Sequence, residues 1–204
     1  MRAADGRFSF VNGAAPAPGD THRWDPVMTG AMVTGENMTT TAYPGVITIP
    51  AYDSTTPSHP LLTEFPIYSL ALTDFPMSEM RSFVGSRTTR WSTGTGGSIS
   101  AYIRVADAKT RMIVLASAML NATLCGVIAG DLMNASYCDT TPQAMWTTKP
   151  DSLCDATACM PNTMGMMDVC DPATAEGMTG AGGKPGCNAW HLLGQFDAQG
   201  VDVH

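Results

Sequence analysis

All six cysteines of this 204-residue chain lie after residue 120: Cys125, Cys138, Cys154, Cys159, Cys170 and Cys187. An even number of thiols crowded into one region reads as a disulfide framework, which persists only in oxidising compartments. Six cysteines allow about 15 pairings, and their spacing chooses none of them. Structural zinc is the weaker reading, because it asks for two close cysteine pairs. Only Cys154 and Cys159 are close, with four residues between them.

The charge follows the cysteines. Residues 1–130 carry nine acidic and nine basic side chains, whereas residues 131–204 carry nine acids against Lys149 and Lys184 alone, so the net charge of −7 belongs to the last third. An acidic balance without clustered Lys or Arg argues against nucleic acid as a partner. With 44% apolar and only 14% charged residues, the chain has ample material to collapse around a core. Nine prolines fall before residue 77, none between 77 and 141, and five from 142 to 185. The expected organisation is one β-rich domain over 1–204, with an extended N-terminal segment over 1–26 and an acidic, Cys-rich loop region over 131–187. The segment 171–187 is rich in Gly, Thr and Ala and has little to bury, so it needs its bridges.

Short apolar runs separated by turn signals predict the fold class. Strands are expected at Phe8–Val11, Met28–Thr34, Val46–Ile49, Ile67–Thr73 and Arg87–Thr93, with a short helix at Met77–Val84. The clearest alternation is Ser98–Val105, where Ile99, Ala101, Ile103 and Val105 alternate with Ser98, Ser100, Tyr102 and Arg104. Asp107-Ala108-Lys109 reads as a turn, returning Thr110–Ala116 as the hairpin partner of that strand. Asn188–Val203 adds a further strand or docked segment, because Trp190, Leu192, Leu193, Phe196 and Val201 need burial. The expectation is a mostly-β sandwich or barrel of short antiparallel strands, with one or two short helices and a disulfide-stapled, loop-rich C-terminal region.

Residues 112–130 hold no charge over 19 residues, which is near the minimum for a membrane-spanning helix. The stretch divides at Asn121, however. Met112–Leu115 is a β-branched run, and Asn121–Gly130 reads as a short helix capped by Asn121 or Thr123 and closed by Gly130. A buried core element is therefore expected, with a span as the alternative. The opening residues MRAADGRFSFVNG contain no apolar h-region, so no signal peptide is expected in them.

Chemical motifs are sparse. There is no G-x-S-x-G nucleophile elbow, H-E-x-x-H pair or phosphate-binding Gly-Lys loop. The histidines are His22, His59, His191 and His204; a triad assembled from distant residues stays open. The acids Asp168, Asp171 and Glu176 around Cys170 suggest a calcium site, although they lack the D-x-D-x-D-G spacing. Met160, Met164, Met166 and Met167 are read as core filler rather than copper ligands. Trp91, Trp146 and Trp190 are read as core. The triplets beginning at Asn37, Asn121 and Asn134 fit the glycan-acceptor pattern, and are frequent by chance in so Thr- and Ser-rich a chain.

The runs Thr140-Thr141-Pro142-Gln143-Ala144-Met145-Trp146, Lys149-Pro150-Asp151-Ser152-Leu153-Cys154, Asp168-Val169-Cys170-Asp171-Pro172 and Cys187-Asn188-Ala189-Trp190 carry a resemblance. So do Tyr102-Ile103-Arg104-Val105-Ala106-Asp107 and Thr123-Leu124-Cys125. Over about residues 97–204 the chain resembles uncharacterised surface lipoproteins of myxobacterium-like bacteria. That resemblance implies an exported chain held at the outer surface by a lipidated N-terminal cysteine, which this sequence does not contain. It implies no site residues.

The functional expectation is a non-enzymatic extracellular or cell-surface protein of binding or structural type. Its partner is a protein, a second copy of itself or a cell-surface component, and its contact with a membrane is through a lipid anchor alone. A secreted hydrolase built from scattered residues is one alternative, and a protein spanning the membrane at 112–130 is the other. No cofactor is expected except possible calcium.

Overall fold

The computed structural model describes residues 8–10, 27–35, 37–52, 61–76, 97–115, 120–162 and 168–195. In chain order the elements are β1 (Phe8–Phe10), β2 (Val27–Thr29), β3 (Ala31–Thr34), β4 (Asn37–Thr40), β5 (Val46–Tyr52), β6 (Leu61–Thr73), β7 (Phe75–Pro76) and β8 (Ser98–Arg104). There follow α1 (Val105–Thr110), β9 (Met112–Leu115), β10 (Leu120–Thr123), α2 (Leu124–Ala129), α3 (Tyr137–Thr140), β11 (Ser152–Cys154), β12 (Cys159–Pro161) and β13 (Ala189–Gln195). The expected Met77–Val84 helix, the Arg87–Thr93 strand with Trp91, and His22, His59 and His204 lie outside the described residues.

The mostly-β expectation is met. The main sheet has six antiparallel strands in the order β12-β11-β13-β8-β6-β5, flanked by the three-stranded sheet β3-β4-β7. Among the described residues the sheets do not close into a barrel, and there are three short α-helices rather than one or two. The alternation in β8 places Ala101 and Ile103 on the buried face opposite Leu192 and Trp190 of β13. Ile67 of β6 lies opposite Ile47 of β5 and extends the same apolar layer. Met38 and Phe75 of the small sheet, both 1% exposed, cover one part of this core. Val105 and Ala108 of α1 with Leu124, Cys125 and Ala129 of α2 belong to the same core.

The expected hairpin of β8 with Thr110–Ala116 does not form. Val105–Thr110 is helical rather than a turn, and β9 pairs with β10, Val114 lying opposite Asn121. β8 pairs instead with β6 and with β13, Tyr102 standing opposite both Tyr68 and His191. The physical reason is packing. Val105 and Ala108 are one helical turn apart, and both are buried, at 4% and 0% exposure. The ladder between β6 and β8 is interrupted by a bulge between Tyr68 and Ala71, where Ser69 takes φ 49°.

The stretch 112–130 comprises β9, β10 and a six-residue helix, so a single spanning helix does not form there. No helix among the described residues is long and apolar enough to cross a membrane. Thr123, not Asn121, caps α2: its Oγ1 accepts from the Gly126 N–H at 3.1 Å. Gly130 ends the helix with φ 110°, a left-handed conformation that glycine adopts without a Cβ penalty, and its N–H donates to Gly126 O.

Candidate functional site

The acidic region is held by two kinds of staple. The first is covalent. Cys125–Cys138 joins α2 to α3, Cys154–Cys159 joins β11 to β12, and Cys170–Cys187 closes the last loop. Three bridges place the chain in an oxidising, extracellular type of environment.

The second kind consists of three amide side chains. Gln143 Nε2 donates to Pro172 O at 3.0 Å, Thr174 O at 2.8 Å and Cys187 O at 3.1 Å. Asn162 Oδ1 accepts from the N–H groups of Val169 and Cys170, while its Nδ2 donates to Cys170 O. Asn188 exchanges two hydrogen bonds with the backbone of Cys154, at 2.7 and 2.8 Å. Buried polar groups need partners, so these amides do for the loops what a ladder does for a strand.

An open cleft of about 560 Å³ lies between α1, α3 and the turn at 175–176. Lys109 and Val105 of α1, Asp139 of α3, Gln143, Trp146 and Glu176 line it. Pro142 precedes a 3₁₀ turn over 143–145, and the Trp146 N–H closes that turn on Gln143 O. The Trp146 indole is 3% exposed, donates from Nε1 to Thr141 O at 2.9 Å, and stacks on Trp190 with centroids 6.0 Å apart. Lys109 Nζ stands 3.2 Å from Asp139 Oδ1. Glu176 Oε1 receives a long 3.4 Å bond from Asn188 Nδ2.

Gln143 is the group that makes this cleft more than a surface hollow. It is 6% exposed. Three carbonyls around its nitrogen fix which end of the amide is which. Its Oε1 accepts from no donor among the described residues, and the side chain lines the cleft. The wall at Thr174–Ala175 comes close enough to be held because residue 186 is glycine. A Cβ there would run into the carbonyl oxygens of Thr174 and Ala175.

The three acids read as a calcium site are not brought together. Asp168 Oδ2 is 3.6 Å from Lys184 Nζ. Asp171 organises its own loop, accepting from Ala173 N, Thr174 Oγ1 and Ala181 N; the Ala173 N–H, then the Thr174 hydroxyl, holds its carboxyl below the usual range. Glu176 lies on the cleft. Among the described residues no group of three or more His, Cys, Asp or Glu is placed to hold a metal. Of the methionine run, Met160 is 51% exposed rather than packed in the core, and the others lie outside the described residues.

A second constellation lies on the sheet face opposite the core. Ser100 Oγ is 2.8 Å from His191 Nε2, and the His191 ring stacks on Tyr102 at 4.6 Å and 9°. Asp151 Oδ1 accepts from the His191 main-chain N–H at 2.8 Å, so this carboxylate oxygen anchors the strand rather than the ring. The Arg104 guanidinium lies 5.2 Å over the Tyr68 ring, and the Tyr68 hydroxyl donates to Asp107 Oδ2 at 2.7 Å. Burial raises the Tyr68 phenol, helped by Asp107; burial, then the Asp151 charge, raises Tyr102.

No protein-family model matches the chain, and no curated protein or solved structure matches it significantly.

Proposed function

We propose that this protein is an exported, non-enzymatic binding domain of the extracellular space or outer cell surface, with the Gln143 cleft as its ligand site. The observation that carries the reading is the Gln143 carbonyl oxygen. An almost fully buried side chain on the lining of the cleft leaves an acceptor without a donor among the described residues, which is how binding sites place a few polar groups. The disulfides support export, and the resemblance to surface lipoproteins supports placement at the cell surface. The cognate partner is a protein or cell-surface component presenting a small group to the cleft. The test is a fragment screen by NMR that includes cationic, neutral and anionic compounds and reads the Trp146 indole N–H. Shifts at that signal from any class support a binding cleft, and none from any class overturns it.

The Ser100–His191 contact favours a second reading as a hydrolase, since a serine within hydrogen-bond reach of an imidazole is the core of nucleophilic catalysis. A fluorophosphonate adduct on Ser100, absent in Ser100→Ala, would establish it. No adduct after prolonged incubation removes it.

A further inference from the structure

We infer that the group taken by the Gln143 cleft is an organic cation, an alkylammonium or guanidinium. The inference rests on the cleft being a binding site and adds the chemistry of its occupant. The amide of Gln143 cannot turn over to offer its NH2, because that nitrogen already serves three carbonyls. The cleft therefore presents an oxygen, and only a hydrogen-bond donor satisfies it. The charged groups agree. The one lysine on the lining stands against Asp139 at 3.2 Å, so Glu176 is the lining carboxylate without a cationic partner among the described residues. Its described contact is a long bond from a neutral amide.

The apolar lining shows only its edges, Trp146 being 3% and Val105 4% exposed, so the oxygens of Gln143 and Glu176 are what select the occupant. A volume of about 560 Å³ is suited to an organic group. An inorganic divalent cation would need several oxygens converging at bonding distance, and no such cluster exists among the described residues.

The test is an NMR titration of the intact, oxidised protein, read at the Trp146 indole N–H. The probes are Nα-acetyl-lysine amide, Nα-acetyl-arginine amide, the citrulline analogue of the latter, spermidine and calcium chloride. The lysine or arginine probe should shift the signal saturably, and citrulline, isosteric but neutral, should not. Glu176→Gln and Asp139→Asn should each weaken the cation by about two- to fivefold, and added salt should weaken it further. Both replaced side chains are exposed, and an unchanged melting temperature confirms that the fold is intact. Preference for spermidine over the amino-acid amides would point to a free polyamine, and the reverse to a basic side chain of a protein; either supports the cation. Equal shifts from citrulline, affinity unchanged in both variants, or a response to calcium matching that to the amines would overturn it. Shifts from neutral or anionic compounds alone would overturn the cation while leaving the cleft as a binding site. A silent Trp146 with every compound would end both.

Discussion

Replacing Gln143 tests whether an amide, and not only sulfur, holds the C-terminal loops. The Nε2 group has two hydrogens and serves three carbonyl oxygens, those of Pro172, Thr174 and Cys187. No other donor among the described residues reaches those oxygens. A typical internal hydrogen bond contributes about 1 kcal/mol net, and an orphaned buried acceptor costs about 1–3 kcal/mol. Two bonds are lost and one or two oxygens stay out of reach of water, so Gln143→Leu should destabilise the oxidised protein by about 3 kcal/mol. For a chain of this size that lowers the melting temperature by about 6–12 °C. Leucine keeps much of the volume, which isolates the polar loss from a cavity effect. Gln143→Glu adds a sign. A carboxylate facing three carbonyls is disfavoured, so its pKa is raised in the folded state, and that variant should regain stability as pH falls and the acid protonates. Urea unfolding followed by tryptophan fluorescence, with the disulfides kept intact, reads all three proteins. A loss below about 1 kcal/mol in Gln143→Leu would refute the reasoning, since the three carbonyls would then be satisfied without the amide.

Three further perturbations follow from the same region. Gly186→Ala places a methyl against the backbone oxygens of Thr174 and Ala175; hydrogen exchange over residues 171–187 should accelerate markedly, and an unchanged exchange pattern would count against the close approach. Replacing cysteines in pairs by alanine should cost about 3 kcal/mol for Cys170–Cys187, about 3 for Cys125–Cys138 and about 2 for Cys154–Cys159, because loop-closure entropy grows with loops of 17, 13 and 5 residues. The order, measured by chemical denaturation, is the discriminating result. Asp155 is held low chiefly by the Thr157 and Ala158 N–H groups, and Asp171 chiefly by the Ala173 N–H. Each folded pKa is depressed, so their contribution to stability is present above the ordinary Asp value of about 3.9 and is lost as pH falls from there through the depressed values. Carboxyl carbon NMR titration checks this, and midpoints at or above the ordinary value would contradict it.

Local pattern made some elements legible and left others hidden. The alternation over 98–105 identified β8, although Tyr102 on its other face is buried as well and Val105 opens α1; the helix read over 121–130 exists as Leu124–Ala129, with Asn121–Thr123 in β10 instead. The partner of β8 was not legible, because strand pairing is decided by which apolar faces meet and not by nearness in sequence. α1 was hidden for a related reason. Its six residues carry no side-chain cap, and Asp107-Ala108-Lys109 has turn composition; burial of Val105 and Ala108 makes it helical. The cysteines announced a stapled region but not its pairing. Gln143 gave no signal at all. A neutral amide in Thr-Thr-Pro-Gln-Ala-Met-Trp resembles any exposed loop residue, and its partners lie 29 to 44 residues away. The acids at 168, 171 and 176 are neighbours along the loop but have separate partners in the structure, because proximity in sequence says nothing about the direction in which carboxylates point. Ser100 and His191, 91 residues apart, meet only through the β8–β13 ladder.

That ladder also sets a timetable. β13 lies between β8 and β11, so the middle of the main sheet stays open until residues 189–195 arrive. A chain emerging from its N-terminal end can make the β5–β6 hairpin early, but it cannot close the core around Trp190 until the other described strands have been synthesised. Long-range pairing of this kind is slow. The strand that commits the fold is the last of the described strands to be made, and the sheet stays divided until it arrives.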